Sequence, residues 1–595
     1  MPLDTHSQPP TPSPGLMQAL ADHEAGRIAE AEAGYRQVLA AAPEDGHALY
    51  LYGMLALQNA RPAEAVDLLG RAAEARPEHA ETRFALGNAL WQHRDKPAAI
   101  AAWQLALERD GTLVGAVLNL ARARAETGDY GATVALCHEA TRIAPRDASA
   151  HAALGAALLG GGQPEAAVRA ADTALELSPR LAEAHFLRGT ALKQLGKLAE
   201  AAAALARAAE LAPRHAQALL NLGNAEWALG DAAAAELHCR AALVADPRLA
   251  EAHVSLGCLL TNTGRLPEAM AACRAALALK PDLAEAHWNL GIAQLLDGDL
   301  QAGFGEYEWR KRHPAHAADF RRLPQPEWQG EPLEDRTLLV LAEQGLGDAI
   351  MFARFLAVLE ARGARVLLAC DRRLVPLLAA APGVARAVPR DGPLPECDAW
   401  VDQMSLPRHL GTGLESIPGA AGYLRPDAAR VATWEPRLPK RRAGARRIGL
   451  VWAGNPLHSN DAQRSCPVEA LRPLTAMAGD DFVSLQLGPA AAEARTLGLA
   501  DHSASLPDYA ETAALLAGLD LVITVDTSVA HAAGALGRPV WLMLPHAPDW
   551  RWLMGRADSP WYASARLFRQ ATPGDWAGVV AAIGTALAAE PPALY

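Results

Sequence analysis

Two short stretches carry residue types that could do chemistry. The first is Asp526-Thr527-Ser528 with His531, inside LVITVDTSVAHAAGALGRPVWLML. A β-branched run, Val522 to Val525, stops at the three polar residues. An Ala-rich helix follows, ends at Gly537, and gives way to a second apolar run from Val540 to Leu544. This order predicts a right-handed βαβ unit on a parallel sheet. Ligands of such sheets sit beyond the carboxyl ends of the strands, where Asp526, Thr527 and Ser528 fall. The next helix offers free N–H groups and the positive end of its dipole, so the chemistry is anion binding. His531, in the first turn, is near enough to face the same anion. The competing reading makes Asp526 or Ser528 a helix cap and His531 a surface residue.

The second stretch is Glu343-Gln344-Gly345-Leu346-Gly347-Asp348, directly after the strand pattern Thr337–Leu341. Gly345 and Gly347 permit a tight turn and close approach of a ligand to the backbone. The dinucleotide fingerprint GxGxxG is not completed. Asp348 is either a working carboxylate or the cap of a helix expected from Ala349 to about Arg362.

These stretches must be positioned by a long chain. Its 595 residues imply three or four domains. Aromatic residues make up only 5% while Ala is abundant, which favours closely packed helices over much of the length. Net charge is −12, and the basic residues Lys440-Arg441-Arg442 and Arg446-Arg447 flank one linker, so nucleic acid is excluded as the main partner. Seven scattered cysteines form no CxxC pair, which predicts reduced, mostly buried thiols in a cytoplasmic protein and no zinc site. The Pro-rich start, MPLDTHSQPPTPSPG, reads as a disordered tail and not a signal peptide. No apolar run is long enough to span a membrane.

Self-similarity dominates the first half. Gly recurs at 53, 87, 155, 189, 223, 257 and 291, with Ala121 in the gap. Pro recurs at 43, 77, 145, 179, 213, 247 and 281, with Gly111 in its missing slot. Ala65, Ala99, Ala167, Ala201, Ala235 and Ala269 hold a third phase, and all three repeat every 34 residues. A helix-turn-helix unit needs small residues where its helices touch and a Pro where the second stops. The pattern resembles the tetratricopeptide repeat, with Trp288-Asn289-Leu290-Gly291 its fullest opening. A degenerate copy is expected from about Leu16 and a last partial one to about Arg312. The stack implies a right-handed solenoid whose concave groove holds a peptide or partner protein. Asn119, Asn221 and Asn289 share one helical position and Asn88 and Asn224 another. They either line that groove or are common there for packing reasons. His185, His253 and His287 recur without a metal signature.

After Pro314 the period fails, and Pro324, Pro326 and Pro332 mark a linker. Strands are expected at Thr337–Leu341, Arg365–Ala369, Val384–Val388 and Asp398–Val401. After a second linker, roughly Pro418 to Ala445, come Ile448–Trp452, a polar loop His458–Ser465, a helix near Val468–Met477, a strand at Phe482–Leu487 and a helix near Tyr509–Leu516. The fold class is an α-helical tetratricopeptide solenoid followed by an α/β GT-B arrangement of two Rossmann-like domains. The divisions are a tail at 1–15, solenoid at 16–313, linker at 314–336 and two Rossmann-like domains at 337–445 and 446–595.

Together the motifs resemble the bacterial heptosyltransferase-related glycosyltransferases, in the form fused to tetratricopeptide repeats. The matching pieces are EQGLGD at Glu343–Asp348, VWAGNPLHSNDAQRS at Val451–Ser465, SLQLG at Ser484–Gly488 and LDLVITVDTSVAHAAGALGRPVW at Leu519–Trp541. PDWRWL at Pro548–Leu553, SPWY at Ser559–Tyr562 and RLFRQ at Arg566–Gln570 complete them. The resemblance implies inverting transfer of a sugar from a nucleoside diphosphate, with Asp348 as general base. It implies donor binding by Gly345, Gly347, Asn455, Arg464, Ser465, Gln486, Asp526, Thr527, Ser528 and His531. Arg464 stands where heptosyltransferases proper often have lysine, so the sugar need not be heptose. No Asp-x-Asp cluster is evident, which implies no metal and no cofactor beyond the nucleotide-sugar substrate. Trp550, Arg551 and Trp552 either stack on a sugar or base or pack in the core. The alternatives are a catalytically silent scaffold binding partner proteins and a nucleotide sugar, and, less favoured, an epimerase or hydrolase on the same plan.

Overall fold

The computed structural model describes residues 13–317, 320, 322–419, 421–458, 460–477 and 479–590. The expected tail lies outside them except for its last residues, and so does Ser459. Helix begins earlier than the sequence suggests, at Pro14, because Ser13 Oγ accepts from Leu16 N at 3.2 Å and caps it. The chain divides into two compact units, Met1–Pro247 and Arg248–Tyr595.

The first unit is a succession of antiparallel helix pairs, from Pro14–Glu24 with Ile28–Ala41 to Ala216–Ala228 with Ala232–Ala245. The small-residue phase has the expected reason. A Cβ on Gly53 would lie 2.6 Å from Leu69 Cγ, and one on Gly189 would lie 2.6 Å from Leu205 Cγ. A fourth 34-residue phase lies in the turns. The turn inside each pair is left-handed, with Gly128, Gly162, Gly196 and Gly230 at φ +75°, +71°, +72° and +90°. Ala60 and Arg94 occupy the same slot at +53° and +68°. A side chain is strained there. Arg94→Gly is therefore expected to stabilise the first unit by about 0.5–1 kcal/mol, net of the extra freedom glycine gains when unfolded. Denaturant unfolding followed by far-UV dichroism checks this; a loss of stability would refute it.

The repeated polar residues mostly bond within the helical stack. Asn119 Nδ2 donates to Asn88 Oδ1 at 2.8 Å, and Trp103 Nε1 donates to the same oxygen at 3.0 Å. Asn221, buried, donates to Thr190 Oγ1 at 3.2 Å. Ring nitrogens of His151 and His185 donate to the carbonyls of Pro145 and Pro179, each at 3.0 Å. These amides and imidazoles tie turns and neighbouring helices together, which favours the packing reading of the Asn pattern.

The second unit opens with the helices Ala250–Asn262, Leu266–Leu279, Ala284–Asp297 and Leu300–Tyr307, then a short turn to Lys311. The sequence ends the repeat domain at 313. Structurally its last helical pairs belong with the α/β elements, because Phe304 packs edge-on against Phe352 and Trp550. One apolar core runs from Leu266 to Leu567.

Two parallel sheets follow. The first has β1 Thr337–Leu341, β2 Arg365–Cys370, β3 Val384–Pro389 and β4 Ala399–Asp402, in the order β3-β2-β1-β4. The second has β5 Arg447–Val451, β6 Asp481–Ser484, β7 Leu521–Val525, β8 Val540–Leu544 and β9 Ala565–Arg569, in the order β6-β5-β7-β8-β9. Strands β1, β5, β7 and β8 are buried almost throughout, as continuous apolar runs require when both faces are covered. Three expected elements differ. The helix at 349–362 is Leu346–Phe352, a 3-10 turn and Leu356–Ala361. The helix near 468–477 is a 3-10 turn followed by Arg472–Thr475, with Pro473 in the first turn of the second piece. β6 ends at Ser484, because Gln486 turns away to bond the neighbouring loop. Among the described residues no helix is long and apolar enough to cross a membrane.

Where the last helices meet β1 and β4 lies a buried ionic network. Arg310, fully buried, places its fork on Glu343 at 2.6 and 2.9 Å and bonds Glu308 at 2.7 Å and Ser405 Oγ at 2.9 Å. Lys311 Nζ lies 3.3 Å from Asp402 and 2.5 Å from Glu327. Burial first, then the charge of Glu343, pushes Asp402 up to about 7. A carboxyl raised in the folded state contributes stability at low pH that is lost as pH rises through that value. Asp402→Asn is therefore expected to gain about 1–3 kcal/mol relative to wild type between pH 5 and pH 8. Paired thermal melts at the two pH values check it; a constant difference would refute it.

Candidate functional site

The turn after β1 and the helix start after β7 meet. A Cβ on Gly347 would lie 2.6 Å from His531 Cδ2 and 3.4 Å from Ser528 Cα, so glycine lets the turn come this close to the His531 ring. Both segments lie at the carboxyl ends of their strands, Leu341 and Val525.

On the first side, Gln344 adopts φ +59° and Gly345 begins the helix Leu346–Phe352. Gly345, not Asp348, is the capping residue; Asp348 sits at the third position of the helix, and its Oδ2 accepts from Gly345 N at 2.9 Å. Its other oxygen accepts from Arg551 Nη2, across from the second sheet. Arg551 also donates to Asp549 at 2.7 Å and lies 4.3 Å over the Trp550 ring, while its Nε has no hydrogen-bond partner among the described residues. Arg551 is 8% exposed, so this guanidinium is a fixed charge in a poorly hydrated place. Burial pushes the Asp348 carboxyl up, against the pull of Arg551.

On the second side, Asp526 follows β7 directly. Burial, with Asp549 beside it, pushes Asp526 up to about 6, while Arg551 and Arg464 draw it down. His531 is buried, not superficial. Its Nδ1 is 3.0 Å from the Tyr562 hydroxyl, its ring stacks on Trp552 at 5.3 Å, and Nε2 lies 4.0 Å from Asp526. Burial first, then Arg551 and Arg354, holds the ring neutral by pushing its pKa well down. Ser528 Oγ bonds the Tyr509 hydroxyl, and Thr527 Oγ1 lies 3.1 Å from Thr524 Oγ1.

Of the remaining expected donor residues, Asn455, Arg464 and Ser465 sit after β5 and Gln486 follows β6. Arg464 Nε donates to Asp461 at 3.2 Å, and its guanidinium lies against Gly454, where a Cβ would come within 2.7 Å of Nε. Ser465 Oγ accepts from Gly454 N at 3.0 Å, and exposed Asn455 accepts from Leu457 N at 3.1 Å. Gln486 is buried and spent on backbone. Its oxygen accepts from Trp452 N and Ala453 N, each at 3.0 Å, and its nitrogen donates to the Ala453 and Leu487 carbonyls, each at 2.9 Å. It shapes the loop and has no bonding capacity left for a ligand.

The structure thus brings Asp348, Asp526 and His531 together and gives Arg551, which the sequence offered only for stacking or packing, an ionic role beside them. Arg551 and Asp549 complete the charges. His458, pushed down by burial first and then by Arg464, also feels Asp549, Asp461 and Arg551. The signal for Arg551 is that Trp550 and Trp552 flank it, with Trp561 close after, three of the 14 tryptophans. These indoles are all core residues, which settles the stacking question in favour of packing. Among the described residues no group of three His, Cys, Asp or Glu could hold a metal ion.

Comparison with known proteins bears on the repeats. Models of the tetratricopeptide repeat match residues 16–80, 53–114, 84–148, 152–213 and 186–250, and a TPR repeat model matches 257–298. Protein FlbA of Caulobacter vibrioides is 32% identical over 319 residues, 49% of this chain and 52% of that protein. The chain thus spans about half the length of this curated relative. Among solved structures, YrrB, a TPR protein with an unusual peptide-binding site, aligns at 24% identity and TM-score 0.27, covering 31% of this chain and 96% of that one. A thermophilic TPR protein of Thermus thermophilus aligns at 25% identity and TM-score 0.28, covering 31% and 99%. From residue 16 to residue 298, this protein is built of tetratricopeptide repeats.

Proposed function

We propose that the α/β half is a GT-B glycosyltransferase that moves a sugar, with inversion, from a nucleoside diphosphate to an acceptor, and that the repeats hold that acceptor as a protein or peptide in the cytoplasm. The observation that carries this reading is the meeting of Asp348, on one parallel sheet, with Arg551 and the Asp526–His531 helix start on the other. A carboxylate raised by burial suits proton abstraction from an acceptor hydroxyl. Neutral His531, Arg464 and the N-terminus of the helix Ser528–Ala535 suit a departing diphosphate, in place of a metal ion. Calorimetric titration with uridine, guanosine, cytidine and thymidine diphosphates tests the donor side. Arg464→Ala is expected to weaken binding by more than about 1.5 kcal/mol, the lower range for a hydrogen bond to a charged group. A chelator is expected to leave binding unchanged. Unaltered affinity in the variant would move the diphosphate elsewhere, and a strict need for magnesium or manganese would overturn the metal-free mechanism.

One observation favours the scaffold alternative: both Asp348 oxygens already accept hydrogen bonds, from Gly345 N and Arg551. Mass spectrometry of proteins co-expressed with wild type and with Asp348→Ala separates the two. A sugar mass added only by wild type supports transfer; identical spectra with partners still captured support the scaffold.

A further inference from the structure

We infer that the terminal repeat is a working part of the candidate site, with Tyr307 and Arg310 as positioning residues that hold the Glu343–Gly345 turn and, through it, Asp348. The inference rests on the reading of Asp348 as the base. Three observations meet on this turn. Gln344 has a left-handed backbone, which a residue with a Cβ keeps only where its surroundings hold it. The Gln344 amide sits on the Tyr307 hydroxyl, Nε2 donating at 2.9 Å and Oε1 accepting at 3.2 Å. The preceding residue, Glu343, is gripped by the Arg310 fork and also accepts from Met404 N at 3.1 Å.

The same tyrosine reaches the other side of the Asp348–Arg551 pair. Its ring stacks on Trp288 at 4.7 Å and meets Trp550 edge-on at 6.2 Å, and Trp550 carries the Arg551 guanidinium on its face. Tyr307, only 2% exposed, therefore touches the turn that presents the carboxylate and the indole that supports its cationic partner. Trp288 and Tyr307 both come from repeat helices, Ala284–Asp297 and Leu300–Tyr307. Packing alone would need no hydroxyl at Tyr307 and no bidentate fork at Arg310. Hydrogen-bonded ties to a strained turn are what orientation of a reacting group requires.

The test uses the full chain and Tyr307→Phe, which keeps the ring stack and removes the tie. Hydrogen exchange read by mass spectrometry should quicken about fivefold in peptides covering 345–352, the size that losing one hydrogen bond gives. Exchange in β1 and β5 should not change. In a Gln344→Gly background the same substitution should add nothing, because the tie is already gone. Turnover of a uridine, guanosine, cytidine or thymidine diphosphate sugar should show a lower kcat at unchanged donor KM. Unchanged exchange at 345–352 or a uniform rise over the whole second unit would overturn the positioning role, as would unchanged kcat where Asp348→Asn is inactive. If Asp348→Asn turned over at the wild-type rate, the base assignment would fall, and the exchange result would still decide whether the terminal repeat holds the turn.

Discussion

Asp348→Asn is expected to slow sugar transfer by about 10²–10⁴-fold, the contribution of a positioned general base, with folding and nucleotide binding nearly intact. The substitution keeps the side-chain shape, so the oxygen of the new amide can still accept from Gly345 N at the start of the helix Leu346–Phe352. What it removes is the negative charge facing Arg551, which retains Asp549 as a partner at 2.7 Å. Loss of rate without loss of fold would therefore belong to the proton-accepting role. Turnover, a thermal melt and a calorimetric titration on the same preparation make the comparison. Near-wild-type turnover would leave Asp348 only its structural bonds.

Arg310→Ala is expected to have the largest effect on stability, about 3–5 kcal/mol, because it strands buried carboxylates and does not merely delete a contact. Glu343 is 4% exposed and would be left with the Met404 N–H. Glu308, whose carboxyl is held down at about 2 against its burial by Arg310 and Lys311, would keep Lys311 at 3.0 Å. Tryptophan fluorescence during denaturant unfolding is the suitable probe, since Trp91, Trp103 and Trp227 are the only tryptophans of the first unit and the remaining 11 of the 14 lie in the second. A loss below about 1 kcal/mol, the value typical of an exposed pair, would show that the network is not what holds the terminal repeat to the sheet.

The contrast between these two residues shows where reasoning from sequence stops. Asp348 stands out in the sequence because its neighbours are local: an apolar run, two glycines and a helix pattern within a short stretch. The same is true of the repeats, whose 34-residue spacing is a local packing rule used again and again. Strand bounds such as Leu521–Val525 and Val540–Leu544 follow from continuous apolar runs that end at turn residues. Local hydrogen bonding and side-chain periodicity act over a few residues, so they leave a trace in the order of the letters.

Arg310 leaves no such trace, and Arg551 is marked only by the tryptophans beside it, not by its partner. Arg551 meets a carboxylate 203 positions away and Arg310 one 33 positions away, and each pairing exists only because separate elements pack first. Packing likewise buried His531 against Tyr562 and Trp552, spent the Gln486 amide on the backbone at Trp452 and Ala453, and broke the helix expected at 349–362. It also drew the last repeats into the α/β unit through Phe304. Residue order dictated which segments would be helix, strand and tight turn. Burial and contact between distant segments determined which polar groups remained free to act, because a side chain's partners and its charge state depend on what the fold brings against it.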